Sequence, residues 1–197
     1  MLGGTFDPPH IGHLIIAQDL VEGLALDRLL IVPAGYPPHR DPILPARARH
    51  ALAVDAFRGV DGVQVTDIEM RRAVPSYTVD TLATVREEYA PRELFCAIGV
   101  DQLRRITTWH EYERLPELAR LAVMARGEDR DIESAASPVP YEMVEVTRID
   151  LSSTRIRDRL AHGRSIRYLV PESIRARVQA AWRNGAAPLN DANSDFR

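Results

Sequence analysis

Short apolar runs alternate with helical patterns along this chain, and this alternation limits the possible folds more than any other feature. Runs rich in aliphatic residues predict buried strands at 28–33, 63–68, 94–99, 121–125 and 143–146. Patterns typical of helices cover 13–25, 47–57, 78–89, 112–119, 153–161 and 171–182. Strands that are apolar throughout and alternate with helices are typical of a parallel sheet covered on both faces. We therefore predict an α/β fold, a doubly wound, mostly parallel Rossmann-like sheet with helices on both faces.

The alternation favours a single domain over residues 1–183. The remaining residues, 184–197, show no periodicity and are predicted to form a disordered tail. Residues 127–140 are polar with two prolines, which indicates a loop. In a sheet of this kind a strand normally comes directly before the first loop, yet only two residues precede Gly3. The first strand is therefore either very short or begins upstream of Met1.

Composition argues against several classes of protein. The net charge is −3 and the pI is near 6.1, so the chain lacks the basic character of many nucleic-acid-binding proteins. No apolar run approaches the ~18 residues of a membrane span, and no secretory signal is recognisable. The single cysteine, Cys96, excludes a disulfide or a Cys-based metal site within one chain and is predicted to be buried. We expect a cytoplasmic protein that binds neither nucleic acid nor membrane.

The stretch GGTFDPPHIGH, from Gly3 to His13, carries the strongest functional signal. Its glycines and prolines disfavour a helix interior or a strand centre and predict a tight loop that opens a helix. Such a loop lets the backbone approach a phosphate, and the helix start adds N–H groups and a positive dipole end. His10 and His13 lie about one turn apart, so both rings can donate to the same phosphates.

This stretch has two other interpretations. A metal pair at His10 and His13 lacks an evident third ligand. A Gly-Pro turn with two surface histidines has no ligand at all, but it does not explain why Gly-Gly-Thr-Phe-Asp-Pro comes first. We therefore favour phosphate binding.

A second stretch, LSSTRIRDRL at 151–160, fits the same chemistry. A Ser-Ser-Thr cluster after a strand is a good helix N-cap, and its hydroxyl and N–H groups can surround phosphates. Arg157 follows Ser153 and Thr154 by about one turn and can bind the same phosphates through its guanidinium. A helix cap with a surface arginine is the alternative; it loses weight because both stretches occur in one predicted domain.

These two stretches resemble the signatures of the nucleotidyltransferase superfamily with a T/H-x-G-H motif. Pro9 to His13 is similar to the version found in the bacterial nicotinate-nucleotide adenylyltransferases, and 151–160 is similar to the I-S-S-T-x-x-R element, with Leu151 in place of isoleucine. The segment RYLVPESIRARV at 167–178 resembles the closing helix of the family. The resemblance covers essentially residues 2–180.

Further segments resemble the parts of this family that bind the acceptor nucleotide. PSYTVDTL at 75–82 is similar to its pyridine-recognition element, which implies recognition through backbone groups near Tyr77 and Thr78. IGVDQL at 98–103, with Trp109 after it, resembles the segment whose tryptophan stacks on nicotinate. YPPHR at 36–40 resembles the loop after the second strand. Arg40, at the end of this loop, is thereby implied as a ligand of the mononucleotide phosphate, and Arg126 matches a basic position of the family after a later strand and is implied as a further ligand of the mononucleotide.

The resemblance implies that ATP and nicotinate mononucleotide react to give deamido-NAD and pyrophosphate. No protein nucleophile is then required, and catalysis depends on positioning and charge stabilisation. Mg²⁺ is expected to be held mainly by the ATP phosphates and water. Asp101 is assigned to the adenosine ribose or a water-mediated contact. The implied catalytic residues are His10, His13 and Arg157, and the implied ATP ligands are Gly3, Gly4, Thr5, Phe6, His13, Asp101, Ser153, Thr154 and Arg157.

Two alternatives stay open at this point, and a third is excluded. A sister adenylyltransferase for pantetheine phosphate, or a cytidylyltransferase, would lack the PSYTVDTL and Trp109 elements. A non-catalytic nucleotide-binding regulator would not need His10, His13 and Arg157 intact. A class I tRNA synthetase fragment shares the H-I-G-H string, but this chain is too short and not basic enough. A homo-oligomer and the preference between nicotinate and nicotinamide forms are left open by the sequence.

Overall fold

The computed structural model describes residues 1–38, 41–72, 75–125 and 137–183. Within them a six-stranded sheet, all of whose strand pairs are parallel, has the order β3-β2-β1-β4-β5-β6. The strands are β1 (Leu2–Gly4), β2 (Leu29–Pro33), β3 (Val63–Val65), β4 (Phe95–Gly99), β5 (Arg120–Ala125) and β6 (Tyr141–Glu145). The predicted doubly wound α/β sheet is therefore confirmed, and it is entirely parallel in the described part of the chain.

Helices follow or connect these strands. They are α1 (Ile11–Gly23), α2 (Ala46–Ala56), α3 (Thr78–Tyr89), α4 (Val100–Leu103), α5 (Leu115–Leu118), α6 (Ser153–Ala161) and α7 (Glu172–Arg183). Short 3₁₀ helices occupy Ile68–Arg71, Ile106–Thr108 and Tyr112–Arg114.

Alternating strand residues supply two hydrophobic cores, one on each face of the sheet. In β2, Leu29 and Ile31 belong to the core that α1, α2, α6 and α7 cover. Leu30 and Val32 belong to the opposite core, which α3, α4 and α5 cover. Because side chains of a strand point alternately to the two faces, burial on both sides requires an apolar residue at nearly every position. This explains why the strands read as continuous apolar runs in the sequence.

The first strand is short, and it lies at the centre of the sheet. β1 pairs with β2 on one side and with β4 on the other, although it contains only Leu2–Gly4. The helix that follows β1 packs on one face of the sheet, and the helix that follows β4 packs on the other face. The chain thus leaves these two neighbouring strands toward opposite faces, which makes the β1–β4 pair the switch point of the fold. In open α/β sheets, ligands bind outside the carboxyl ends of the strands at such a point.

Some predicted boundaries are wrong. The helix predicted at 112–119 is a 3₁₀ turn followed by α5, whose first turn contains Pro116. Proline has no N–H to donate and is compatible only with the start of a helix, so the helical segment is divided here. The strand predicted at 63–68 ends at Val65, and a 3₁₀ helix begins at Ile68.

Other predictions concern isolated features. Cys96 is a free, buried thiol in β4, as predicted, and burial raises its pKa to about 11. None of the helices in the described residues is long and apolar enough to cross a membrane. The tail predicted at 184–197, and most of the predicted loop at 127–140, lie outside the described residues.

Candidate active site

A cleft of about 320 Å³ lies at the carboxyl end of β1, where the fold predicts a ligand site. Both phosphate-binding stretches predicted from the sequence line it. The hydroxyl of Ser153 donates to the carbonyl of Pro8, 145 positions away in the chain, at 2.8 Å and holds the two stretches together. The predicted residues that line the cleft are Gly4, Thr5, Phe6, His10, His13, Ser153, Thr154 and Arg157.

Phe6 packs its buried side chain against one of the histidines of the cleft. Its backbone is in the left-handed region, with φ 50°, and its side chain is 2% exposed. The ring meets that of His13 edge-on, with the centroids 4.8 Å apart. The buried ring therefore packs against the imidazole of His13 and helps to fix its position.

The two histidines form one stacked unit at the start of α1. Their ring centroids are 3.6 Å apart and the rings are tilted by 20°. The backbone N–H of His10 donates to Nδ1 of His13 at 3.1 Å. An imidazole nitrogen that accepts a hydrogen bond carries no proton, so the proton of neutral His13 is on Nε2.

The surroundings of His13 keep it neutral. Burial, and secondarily the neighbouring His10, lower the pKa of His13 well below its usual value of 6.5. At neutral pH the side chain is therefore an uncharged hydrogen-bond donor through Nε2.

The stack of histidines explains the glycine between them. A Cβ atom on Gly12 would lie 3.1 Å from Nδ1 and 3.2 Å from Cε1 of His10. A larger residue would push the His10 ring away from its position above His13. The H-x-G-H spacing thus follows from packing.

The start of α6 also lines the cleft. Ser152 is the N-cap, and its hydroxyl accepts from the N–H of Arg155 at 3.2 Å. Arg157 donates to the carbonyl of Asp7 at 2.7 Å and to the hydroxyl of Thr154 at 3.1 Å. These bonds hold a guanidinium, which is always positively charged, in the lining of the cleft.

Asp7 organises the cleft without having been singled out from the sequence. Asp7 is 4% exposed, and its carboxylate accepts from the N–H groups of Ile43 and Leu44 at 2.8 and 3.3 Å. The segment between β2 and α2 is thereby attached to the loop after β1. Asp41 and Pro42 of that segment line the cleft.

The predicted pyridine-recognition element starts α3, beside the segment that follows β2. The N–H of Ser76 donates to the carbonyl of Tyr36 at 2.9 Å, and the Ser76 hydroxyl accepts from the N–H of Tyr36 at 2.9 Å. The N–H of Tyr77 bonds to Pro75. Thr78 begins the helix, so its N–H belongs to the first turn, which has no intrahelical acceptor. Of the two amides predicted to bind the pyridine, that of Thr78 is better placed to donate.

Trp109 is half-buried and packs against the core on the α3 side of the sheet. The next residue, His110, lies over the ring of Tyr77, with centroids 4.3 Å apart. The structure thus brings the Trp109 segment next to the PSYTVDTL element, as the resemblance implies. The indole also contributes to the core, so its removal would reduce stability as well as any stacking.

The remaining predicted residues lie outside this cleft or outside the described residues. Gly3 is exposed in β1 and does not line the cleft. Asp101 is in α4, directly after β4, with its side chain 93% exposed. Arg40 and Arg126 lie outside the described residues.

Sequence reasoning missed two buried charged residues behind the cleft, Arg49 and Glu69, which are 1% and 7% exposed. A signal for Arg49 was present: it lies on the apolar stripe of α2, which also contains Ala48, Leu52 and Ala56. An arginine on a buried helix face needs several acceptors nearby. Which acceptors these are depends on the tertiary structure.

A second cleft, of about 630 Å³, lies at the amino ends of β1, β2 and β4. It is larger, but none of the predicted residues lines it. Its walls include Met1, Leu30, Tyr89 and Phe95. We take the smaller cleft as the candidate active site because the residues predicted to bind phosphate line it together.

The described residues contain no group of three or more His, Cys, Asp or Glu side chains arranged to hold a metal ion. In the smaller cleft the potential ligands are the two histidines, the exposed carboxylate of Asp41 and the carboxylate of Asp7, which already accepts from two backbone N–H groups. Because Nδ1 of His13 accepts from His10 and Nε2 therefore carries the proton, neutral His13 has no free lone pair for a metal ion, and this donor set does not form a metal cage.

The sequence is similar to a known family and to named proteins. The model of the cytidylyltransferase-like family matches residues 1–159. A protein of Thermus thermophilus named as a probable nicotinate-nucleotide adenylyltransferase is 42% identical over 179 residues, which cover 91% of this chain and 95% of the relative. A protein of Pseudomonas syringae pv. tomato with the same name is 41% identical over 199 residues, covering 90% of this chain and 89% of the relative.

Solved structures share the fold. The nicotinic acid mononucleotide adenylyltransferase of Plasmodium falciparum, in complex with NaAD, superposes with a TM-score of 0.74. The match covers 94% of this chain and 95% of that chain at 18% sequence identity. At this identity the superposition supports the architecture, and the closer relatives carry the family relationship.

Proposed function

Because this chain belongs to the cytidylyltransferase-like family and, within it, to the nicotinate-nucleotide adenylyltransferases, we propose that its cleft transfers AMP from ATP to nicotinate mononucleotide. The products are deamido-NAD and pyrophosphate, in a step of NAD biosynthesis. One observation supports the assignment of this reaction to the cleft: the histidine loop and the Ser-Ser-Thr helix start, 145 positions apart at Pro8 and Ser153, are joined by a hydrogen bond.

The reaction is a single displacement at phosphorus. An oxygen of the acceptor 5′-phosphate forms a bond to the α-phosphorus of ATP, and the bond from that phosphorus to the bridging oxygen breaks. Pyrophosphate leaves with the electron pair. Because both reactants are phosphates, the protein has to hold them in line and stabilise negative charge.

The donor groups of the cleft fit this task. Neutral His13 offers an N–H donor at Nε2. Arg157, held by the carbonyl of Asp7, offers a fixed positive charge. We assign both to the triphosphate, together with His10. The hydroxyls of Ser153 and Thr154 and the backbone from Gly4 to Phe6 complete the cradle. Stabilisation of developing charge by such preorganised donors is a major source of rate enhancement.

We assign the pyridine ring of the acceptor to the region between α3 and Trp109. The N–H of Thr78 is a donor suited to the nicotinate carboxylate, and the indole offers a flat apolar face. The arginines Arg40 and Arg126 stay predicted ligands of the acceptor, Asp101 stays a predicted ribose ligand and Gly3 a predicted backbone contact.

We infer that Mg²⁺ enters with ATP, held by phosphate oxygens and water. The described residues fit this role, because they offer no cage of carboxylates that would bind the ion independently. When bound, the ion neutralises part of the triphosphate charge. A homo-oligomer and a cytoplasmic location also stay predictions.

A panel of acceptor phosphates tests the proposed function. Purified protein is incubated with ATP, Mg²⁺ and, separately, nicotinate mononucleotide, nicotinamide mononucleotide and pantetheine phosphate, and released pyrophosphate is measured. We expect the highest kcat/KM with nicotinate mononucleotide. Faster turnover with pantetheine phosphate would support the sister-enzyme alternative, and no turnover with any acceptor would support the non-catalytic regulator.

A further inference from the structure

Arg49 is the largest polar side chain buried in the described part of the protein, and the reaction does not use it directly. It lies on α2 and is 1% exposed. Its guanidinium donates to three backbone carbonyls, from Nε to Leu44 at 3.0 Å, from Nη1 to Thr5 at 2.8 Å and from Nη2 to Gly35 at 3.2 Å. The planar guanidinium has donors in fixed directions, so it can fix the positions of all three acceptors at once.

The three acceptors belong to two segments, the loop after β1 and the segment that joins β2 to α2. Thr5 is in the loop directly after β1, which lines the cleft. Gly35 and Leu44 are at the two ends of the segment that joins β2 to α2. Arg49 therefore holds this segment at both ends and connects it to the phosphate-binding loop.

Two buried carboxylates complete the arrangement. Asp7 binds the N–H groups of the Leu44 end of the segment, and Glu69 accepts from the N–H of Gly35 at 3.2 Å. Burial lowers the pKa of Arg49, while the charges of Asp7 and Glu69 oppose that effect. The backbone of Gly35 lies so close to that of Glu69 that a Cβ at Gly35 would be 2.4 Å from the Glu69 carbonyl oxygen.

Glu69 extends the arrangement to the acceptor side. Its other carboxylate oxygen accepts from the hydroxyl of Thr81 at 2.8 Å, in the first turn of α3. The helix start that carries Thr78 is therefore attached to Gly35, and through Gly35 to Arg49.

Such a cluster is an expensive way to stabilise a fold. The desolvation of buried charges offsets much of their attraction, and apolar residues of similar size often stabilise as well or better. What an apolar side chain cannot provide is a fixed separation between the three carbonyls.

We propose that Arg49 is a positioning residue that sets the distance between the triphosphate loop and the segment leading to the acceptor site. The inference rests on the proposed function for its kinetic consequence, but the structural connection can be tested without it. Lysine at this position keeps the positive charge, but its single ammonium nitrogen cannot donate to all three carbonyls, which lie in the different directions of the guanidinium N–H groups.

The first test measures backbone hydrogen exchange in wild type, Arg49→Lys and a matched core variant, Leu52→Ala. Leu52 is fully buried on the same helix and makes no polar side-chain contact. We expect the N–H groups of Gly35 and Leu44 to exchange at least about tenfold faster in Arg49→Lys, with strands β4 and β5 unchanged. Leu52→Ala should lower the melting temperature without this local effect. Unchanged exchange at Gly35 and Leu44 in folded Arg49→Lys would overturn the proposal.

The second test separates positioning from stability by kinetics below the melting temperature of each variant. We expect Arg49→Lys to lose at least about tenfold in kcat/KM for nicotinate mononucleotide, since small misplacements of reactants are costly. Its equilibrium affinity for ATP should stay within about threefold of wild type, because the histidines and Arg157 remain. Leu52→Ala should keep its kcat and KM values per folded molecule.

Parallel kinetics of Arg49→Lys and Leu52→Ala would show that Arg49 is only structural and would overturn the proposal. If wild type transfers no AMP to nicotinate mononucleotide, the proposed function fails, and the exchange of Gly35 and Leu44 still decides the role of Arg49. Arg49→Met serves as a second variant: it keeps the volume and loses all three hydrogen bonds.

Discussion

The backbone N–H of His10 donates to Nδ1 of His13 at 3.1 Å, and this bond determines which nitrogen of neutral His13 carries the proton. With Nδ1 occupied as an acceptor and the pKa lowered by burial, the ring carries its proton on Nε2. The H-x-G-H spacing thus prepares a neutral donor at the start of α1 before any phosphate arrives.

Amide substitutions of His13 test this assignment. His13→Ala should reduce kcat by about a hundredfold or more, the usual effect of removing a preorganised donor. His13→Gln places an N–H near the position of Nε2, whereas His13→Asn places one near Nδ1. We therefore expect Gln to retain more activity than Asn. His162, exposed at the C-cap of α6 and paired with Asp158, supplies the control substitution to alanine. Near-normal kcat in folded His13→Ala would contradict the role.

The lowered pKa of His13 has a consequence for stability against pH. In the unfolded chain the histidine takes up a proton near pH 6.5, whereas in the folded protein it does so only at much lower pH. Between these values the unfolded state binds more protons, so the free energy of unfolding falls as the pH falls.

Thermal melts of wild type and His13→Asn between about pH 7.5 and about pH 5 measure this contribution. We expect the melting temperature of wild type to fall more steeply than that of His13→Asn over this range. His50, whose pKa burial also lowers, contributes equally to both proteins. Identical slopes for the two proteins would show that His13 is not kept neutral by the fold.

The start of α3 predicts a preference for the acid form of the acceptor. The N–H of Thr78 can donate to the nicotinate carboxylate, which only accepts, whereas a carboxamide also presents its own donor. We expect a higher kcat/KM for nicotinate mononucleotide than for nicotinamide mononucleotide, with the KM for ATP unchanged between the two assays. Equal kcat/KM values would argue against recognition by this amide.

Trp109 has two roles to separate, because it packs partly against the core and is assigned to the pyridine ring. Trp109→Ala should weaken acceptor binding by about 1–3 kcal/mol, the range for loss of one aromatic stacking partner. ATP affinity should change little. Leu118, which packs against the same core, provides Leu118→Ala as a control for stability alone. Equal losses for both substrates in Trp109→Ala, matching Leu118→Ala, would place the indole in the core only.

The sequence predicts the sheet well because its strands are buried on both faces, and burial leaves a continuous apolar pattern. The strand predicted at 94–99 and the observed Phe95–Gly99 differ by one residue. The helix predicted at 112–119 is divided into a 3₁₀ turn and the short helix α5, because Pro116 is compatible only with the first turn of a helix although the apolar spacing fits one continuous helix. The presence of a helix or strand can be predicted from the pattern of its own residues. Its exact ends depend on the residues that pack against it in the fold.

The site divides in the same way. That His10, His13 and Arg157 line one cleft could be predicted, because each belongs to a contiguous motif whose chemistry is visible in a few residues. Arg49 could not be understood from the sequence, because its three acceptors lie 5, 14 and 44 positions away. The contact of Glu69 with Gly35 spans 34 positions and likewise exists only in the fold.

The stereochemistry at the α-phosphorus tests direct transfer between the two nucleotides. ATP made chiral at this position with sulfur is reacted with nicotinate mononucleotide, and the configuration of the dinucleotide product is determined. A single in-line attack by the acceptor phosphate, with His10 and His13 acting only as donors, predicts inversion. Retention would require two displacements through an adenylylated side chain, and would contradict a cleft that works by positioning and charge stabilisation alone.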